Sequence, residues 1–211
     1  RFQSAGEDFR VHTLERELEL VADLCEKGGR QVGIYPEIKH PAWHRAEGVD
    51  IAPLMLELLA SFGYTDHGDP IYLQCFDEHE LRRIRHDLGS KLKLVQLIGE
   101  DDWSAELTNY AGMRTQRGMK KLARTVDAVG PWLNRLYRHR RKDGKNSPSG
   151  FVDRAHKVGL AVHPYTLRRD DLPPGFASFE ELIRFCARDL LVDGLFTDFP
   201  GEVSELFRRI F

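Results

Sequence analysis

The sequence is short of cysteine, and the three it has, Cys25, Cys75 and Cys186, stand far apart. No two have CxxC spacing, which excludes that kind of metal or redox motif. An odd, dispersed set also argues against a disulfide framework. Each lies among apolar residues and reads as a small buried hydrophobe. Long hydrophobic runs are lacking too. Nothing approaches the roughly 20 apolar residues of a membrane-spanning helix, and the first residues show no signal-peptide pattern. The chain starts at Arg1 instead of Met, so processing or trimming is expected. An excess of either charge is lacking: 31 Lys and Arg face 33 Asp and Glu, a formal net charge of −2. The two signs are interspersed, which gives no reason to expect nucleic acid or an anionic membrane as partner. GxGxxG and Walker loops are absent, which removes the usual nucleotide-binding readings.

What is present suits one domain, residues 1–211, since a domain of roughly 100–200 residues is ordinary. Residues 1–8 are polar and read as loop. Thr13 reads as a helix N-cap, with Glu15, Glu17 and Glu19 behind it and Leu14, Leu18, Val21 and Leu24 at helical spacing. Gly28 and Gly29 end that helix. Short apolar runs then alternate with helical patterns. Strands are predicted at 32–39, 71–76, 93–98, 125–129, 160–166 and 194–198. Helices are predicted near 50–59, 77–88, 119–124, 151–158, 179–191 and 202–210, with loops at 40–48 and 100–110. Residues 134–150 hold Arg135, Arg138, Arg140, Arg141, Lys142 and Lys145 and read as a solvated helix end or loop.

Strand and helix in repeated alternation define a parallel α/β protein. The C-terminal ends of these strands collect polar residues: Glu37, Lys39, Gln74, Gln96, His163, Tyr165 and Asp198. Polar residues at the same end of strand after strand suit a TIM (β/α)8-type barrel, whose site lies at that face. An open sheet would gather them mainly at one switch point. Glu37 and Lys39 are the sharpest pair. Two apart on a strand, they share one face; together they offer a carboxylate for a metal and a lysine for a phosphate, or else a simple ion pair. Six strands are counted where a barrel needs eight in roughly 250 residues. The chain opens on a helix, so the first two βα units are expected to be missing from it.

Five motifs carry a family resemblance: Tyr35-Pro36-Glu37-Ile38-Lys39, Leu73-Gln74-Cys75-Phe76, Val95-Gln96-Leu97-Ile98, Val162-His163-Pro164-Tyr165-Thr166 and Gly194-Leu195-Phe196-Thr197-Asp198-Phe199-Pro200. In this order, with the opening Asp8-Phe9-Arg10-Val11-His12-Thr13, they resemble the glycerophosphodiester phosphodiesterases. The His-Pro-Tyr-Thr form is similar to the periplasmic bacterial type. The resemblance implies a barrel that hydrolyses glycerophosphodiesters to glycerol 3-phosphate and an alcohol. It implies a divalent cation, Ca2+ or Mg2+, and two histidines as acid and base. It implies Glu37 as metal ligand, Lys39 as phosphate-binding cation, and Gln74, Gln96, His163 and Tyr165 around the substrate. The family's His-Arg-Gly and Glu-x-Asp motifs do not occur here. The catalytic histidines are therefore expected upstream, and this chain alone is expected to be inactive. A small-molecule partner and a periplasmic location follow from the resemblance alone. A dimer is one option for the oligomeric state.

Other residues have plainer readings. His86-Asp87 falls on a helix as an exposed pair. His12 is structural, and His44 could reach over the site. Asp198 caps a turn. Trp43, Trp103, Phe76 and Phe196 are candidates for an apolar wall. Two alternatives to the hydrolase stand: a non-catalytic barrel that binds phosphorylated ligands, and a lyase with Lys39 as Schiff base.

Overall fold

The computed structural model describes residues 11–103, 108–140, 142 and 144–210. The loop read at 1–8, the first residues of the opening motif (8–10) and Arg141 lie outside the described residues. Helix α1, Leu14–Gly28, starts as expected: Thr13 Oγ1 accepts from the Arg16 amide at 3.3 Å. It stops at Gly29, whose φ of 59° is the left-handed conformation that glycine adopts without strain. Then follow β1 (Glu37–Ile38), α2 (Pro41–Ala46), α3 (Ile51–Ser61), β2 (Tyr72–Cys75), α4 (Glu78–His86) and β3 (Lys93–Ile98). The second half holds α5 (Tyr110–Met113), α6 (Gln116–Leu122), β4 (Ala128–Pro131), β5 (Tyr137–Arg140) and β6 (Lys145–Pro148). It closes with α7 (Phe151–His156), β7 (Ala161–Val162), α8 (Phe179–Arg184), a π-helical turn (Phe185–Leu190) and α9 (Pro200–Ile210).

One parallel sheet runs β1-β2-β3-β4-β7. Beyond β7 the segment 193–197 continues it: the Phe196 amide donates to Pro164 O at 2.9 Å and the Leu167 amide to Phe196 O at 2.8 Å. The sheet is strongly curved. Tyr35, at one end of the run, touches Phe196, at the other, with ring centroids 4.8 Å apart. The convex face packs on the helices through Leu73, Cys75, Leu94 and Ile98 against Leu81 and Ile84 of α4 and Met119 and Leu122 of α6. A curved parallel sheet clad in helices is the barrel type of α/β architecture.

The structure corrects several boundaries. Residues 40–48 are not all loop, because Pro41 at the first helical position seeds α2. The fourth strand lies at Ala128–Pro131, beyond the 125–129 predicted. Asp127 sits at its entrance, its carboxylate accepting the Leu94 amide at 2.8 Å and pairing with Arg85. The basic stretch is a hairpin, β5 with β6, whose Tyr137, His139 and Asn146 turn inward. Asn146 Nδ2 donates to Gly175 O and Tyr137 Oη to Pro174 O. Alternation in this hairpin was hidden by the run of cations.

Candidate active site

β1 sets the site. Glu37 opens the strand and Lys39 leaves it, with Lys39 Nζ 3.8 Å from Glu37 Oε2. The lysine is exposed and the carboxylate largely covered. Burial pushes the Glu37 carboxyl above its ordinary value, while Lys39 and His40 pull it back. Both residues line a cavity of about 380 Å³ at the C-terminal ends of β1, β2 and β3. Phe76, Gly99, Trp103 and Tyr110 form its other walls. Asp77 borders it too, but its Oδ1 accepts the His79 and Glu80 amides and caps α4. Cys75 donates Sγ–H to Ile38 O at 3.1 Å. Burial lifts that thiol to about 12, which leaves it protonated and unreactive.

The other expected site residues divide by register. Gln74 pairs with Glu37, so the two share the concave face. It is buried, and its Oε1 has no hydrogen-bond partner among the described residues. Gln96 pairs with Cys75 and therefore shares the convex, helix-facing side. Its Nε2 donates to Phe76 O and Leu97 O at 2.8 and 2.9 Å, so it braces the β2 end and does not line the cavity. A shift of one residue decides which face a strand side chain takes. Tyr165 donates its hydroxyl to Ile98 O at 3.1 Å and stands edge-on to Phe76, behind the cavity wall. Burial raises its phenol, so it stays a donor.

His163 lies deeper, on the same face as Tyr35 and Tyr72. Its Nδ1 shares a 2.8 Å hydrogen bond with the Tyr35 hydroxyl, and its ring meets Tyr72 at 5.1 Å. Gly194 leaves room for that ring, since a Cβ there would come within 2.9 Å of it. Burial lowers the His163 pKa below its ordinary 6.5. The unfolded chain then binds a proton here more readily than the folded one. Stability from neutral His163 is complete above pH 6.5 and is lost as pH falls below it. His163→Gln is expected to flatten the fall in urea midpoint between pH 7 and 5; an unchanged slope would assign that fall to other groups.

Of the aromatic wall, Phe76 and Trp103 are in place. Trp43 is exposed against His44, and Phe196 packs inside against Tyr35. Asp198 pairs with Arg168 at 3.2 Å. Two features had no clear sequence signal. Tyr110 joins the cavity from α5. Glu100, buried, accepts two hydrogen bonds from Arg135 and one from Arg114, which also donates to Gly99 O at 3.0 Å. An acidic residue just after a strand and two arginines downstream are too common to single out.

A divalent cation tests poorly against these residues alone. A hard ion takes about 6–8 oxygens. Among the described residues no three His, Cys, Asp or Glu side chains converge. Glu37 and the unpaired Gln74 oxygen on its face are too few to make a complete site.

The fold and the site together define a barrel-type α/β protein with an acidic–basic pair at the C-terminal face of its sheet. The glycerophosphoryl diester phosphodiesterase family model matches residues 1–202, and the chain belongs to that family. It is 35% identical over its whole length to a glycerophosphodiester phosphodiesterase of Haemophilus influenzae, of which it covers 62%. A namesake from Treponema pallidum is 33% identical, with 95% of this chain and 60% of the relative aligned. Solved structures assigned as glycerophosphoryl diester phosphodiesterases share the fold. That from Silicibacter pomeroyi gives a TM-score of 0.65 at 17% identity, over 93% of this chain and 56% of the other. That from Agrobacterium tumefaciens gives 0.61 at 14%, over 95% and 66%. The chain thus spans about 60% of the curated relatives it matches. No helix among the described residues is long and apolar enough to cross a membrane.

Proposed function

We propose that this chain carries the phosphate-binding wall of a phosphodiesterase that cleaves glycerophosphodiesters to sn-glycerol 3-phosphate and an alcohol. The observation that carries the reading is the Glu37–Lys39 pair at a strand end, opening on a cavity with aromatic walls, in a chain of this family. Lys39, exposed on the cavity, takes the phosphoryl oxygens and offsets charge that builds on them. Glu37 holds the lysine and is the described carboxylate best placed to reach a Ca2+ or Mg2+ ion. Such an ion would act as a Lewis acid on the phosphoryl group when bound. In this reading its remaining ligands, the acid and base histidines and the two further βα units come from outside this 211-residue sequence. His163 is committed to Tyr35 and is not the acid–base group of this reading. The periplasmic location rests on the likeness of the His163–Thr166 motif. A Schiff-base lyase is disfavoured, because Lys39 is exposed and ion-paired where such enzymes bury their lysine.

The test is release of glycerol 3-phosphate from glycerophosphocholine, with Ca2+ and with a chelator. The 211-residue chain is expected to be inactive alone. Adding the N-terminal strands of the Haemophilus influenzae relative is expected to restore chelator-sensitive turnover. Turnover by the chain alone would keep the substrate and refute the placing of the histidines. A folded chain that binds glycerol 3-phosphate but gains no turnover from the added strands would be the non-catalytic barrel.

A further inference from the structure

We propose that the outer face of α6 is a second binding site, one that takes a linear polyphosphate. It lies in the helical layer, apart from the cavity at the strand ends, and does not rest on the phosphodiesterase reading.

Arg117, Lys120, Lys121 and Arg124 follow one another at spacings of three, one and three, which gathers them on one side of a helix. The opposite side is fixed, because Met119 and Leu122 are buried in the core. The four cations and Thr115 border a single cavity of about 530 Å³, walled by α5, α6 and the start of α4. Among the described residues its one carboxylate is Glu78, whose Oε1 stands 2.7 Å from Lys121 Nζ. Arg117, Lys120 and Arg124 have no ion pair or side-chain hydrogen bond among the described residues.

The backbone that presents these cations is held from three sides. Thr115 Oγ1 accepts the Gly118 amide at 3.0 Å and caps α6. Gly118 seats α6 so closely on α5 that a Cβ there would meet backbone atoms. The Lys121–Glu78 pair joins α6 to α4. A row of charges fixed before the ligand arrives lowers the cost of binding it.

The charges choose the ligand. The chain has a formal net charge of −2, yet this cavity sets four cations against one carboxylate. Arg117 and Arg124 each stand three and four residues from the two lysines. Like charges at those spacings repel on a bare helix, and an anion that bridges them removes the repulsion. Phosphate suits the arginine fork, which grips two of its oxygens at once. Arg117 and Arg124 are seven residues apart, about 10 Å at a helical rise, so one phosphate meets only part of the row. A chain of phosphates follows the row from turn to turn.

The test is calorimetric titration of the full 211-residue chain with tripolyphosphate and with orthophosphate, at matched ionic strength and without divalent cations. Tripolyphosphate is expected to bind once per chain and at least about tenfold more tightly than orthophosphate, the gain from one further charged hydrogen bond. The double variant Arg117→Gln, Lys120→Gln is expected to weaken it by at least about tenfold, on the same scale. Glu78→Gln removes the one opposing charge and is expected to tighten it. Lys39→Ala is expected to leave it unchanged, which separates this site from the strand-end cavity. Circular dichroism checks that each variant is folded. Equal affinity for the two anions would overturn the proposal, as would no binding by the folded chain. Binding that survives the double variant, or that is lost in Lys39→Ala, would also overturn it. Capture by phosphatidylglycerol vesicles without tripolyphosphate binding would replace the site by a membrane contact.

Discussion

Gly118→Ala is expected to destabilise the fold by about 3 kcal/mol. Gly118 lies in α6, where alanine is locally the better residue, and propensity alone would stabilise the variant by about 1 kcal/mol. Packing opposes this. A Cβ at 118 would stand 2.1 Å from the carbonyl oxygen of Gly112, 2.7 Å from Met113 Cα and 2.8 Å from Met113 O. All three are backbone atoms, so no side chain can swing aside. The end of α5 that carries them is itself tied: Thr115 donates its hydroxyl to Gly112 O, and Asn109 accepts the Gly112 amide. Relief requires α6 to lift from α5, which uncovers Met113, Met119 and Leu122. Urea unfolding decides the sign. A lower midpoint at unchanged slope supports the close crossing. A higher midpoint would mean that this end of α5 relaxes and that local propensity governs this segment.

This glycine shows where sequence reading runs out. It falls just before the helix predicted at 119–124, and nothing local states that another backbone presses against it. The strands were more legible. β2, β3 and the strand at 161–162 are short apolar runs bounded by turn residues, and each pairs in the expected parallel order. Thr13 was readable as a helix cap because its side chain acts within three residues. The β5–β6 hairpin was not readable. Its cations mask the alternation, and the contacts that fold it come from Pro174 and Gly175, which are remote in sequence. Residue 127 was placed in mid-strand for a similar reason. Its carboxylate serves the Leu94 amide and Arg85, partners that a linear reading does not see.

The candidate site divides along the same line. Glu37 and Lys39 were legible because spacing on one strand fixes their shared face. Gln74 and Gln96 look alike in sequence, both one or two residues from a strand end. Register separates them, one to the concave face and one to the helices. His163 sits at a strand end, where a pocket role is natural. The curvature that brings Tyr35 across to it is a property of the whole sheet.

Lys39→Met is expected to lower kcat/KM for a glycerophosphodiester by about 10²–10³, the scale seen when one donor to a developing anion is removed. The reference is the polypeptide that shows turnover; for this chain alone the corresponding readout is about tenfold weaker binding of glycerol 3-phosphate. The stability of the variant is expected to stay within about 0.5 kcal/mol of the parent. Lys39 is exposed and its contact with Glu37 is 3.8 Å long, and surface pairs of that kind contribute about 0–1 kcal/mol. A large loss of function beside an unmoved urea midpoint separates a phosphate-binding lysine from a simple ion pair. Methionine keeps most of the side chain's length and apolar stem, so the comparison isolates the charge. If the charge acts mainly as phosphate binds, KM rises and kcat holds; if it acts on charge that builds during cleavage, kcat falls with kcat/KM. Retained activity with a lower midpoint would return Glu37 and Lys39 to a structural role and leave the cavity without its phosphate end.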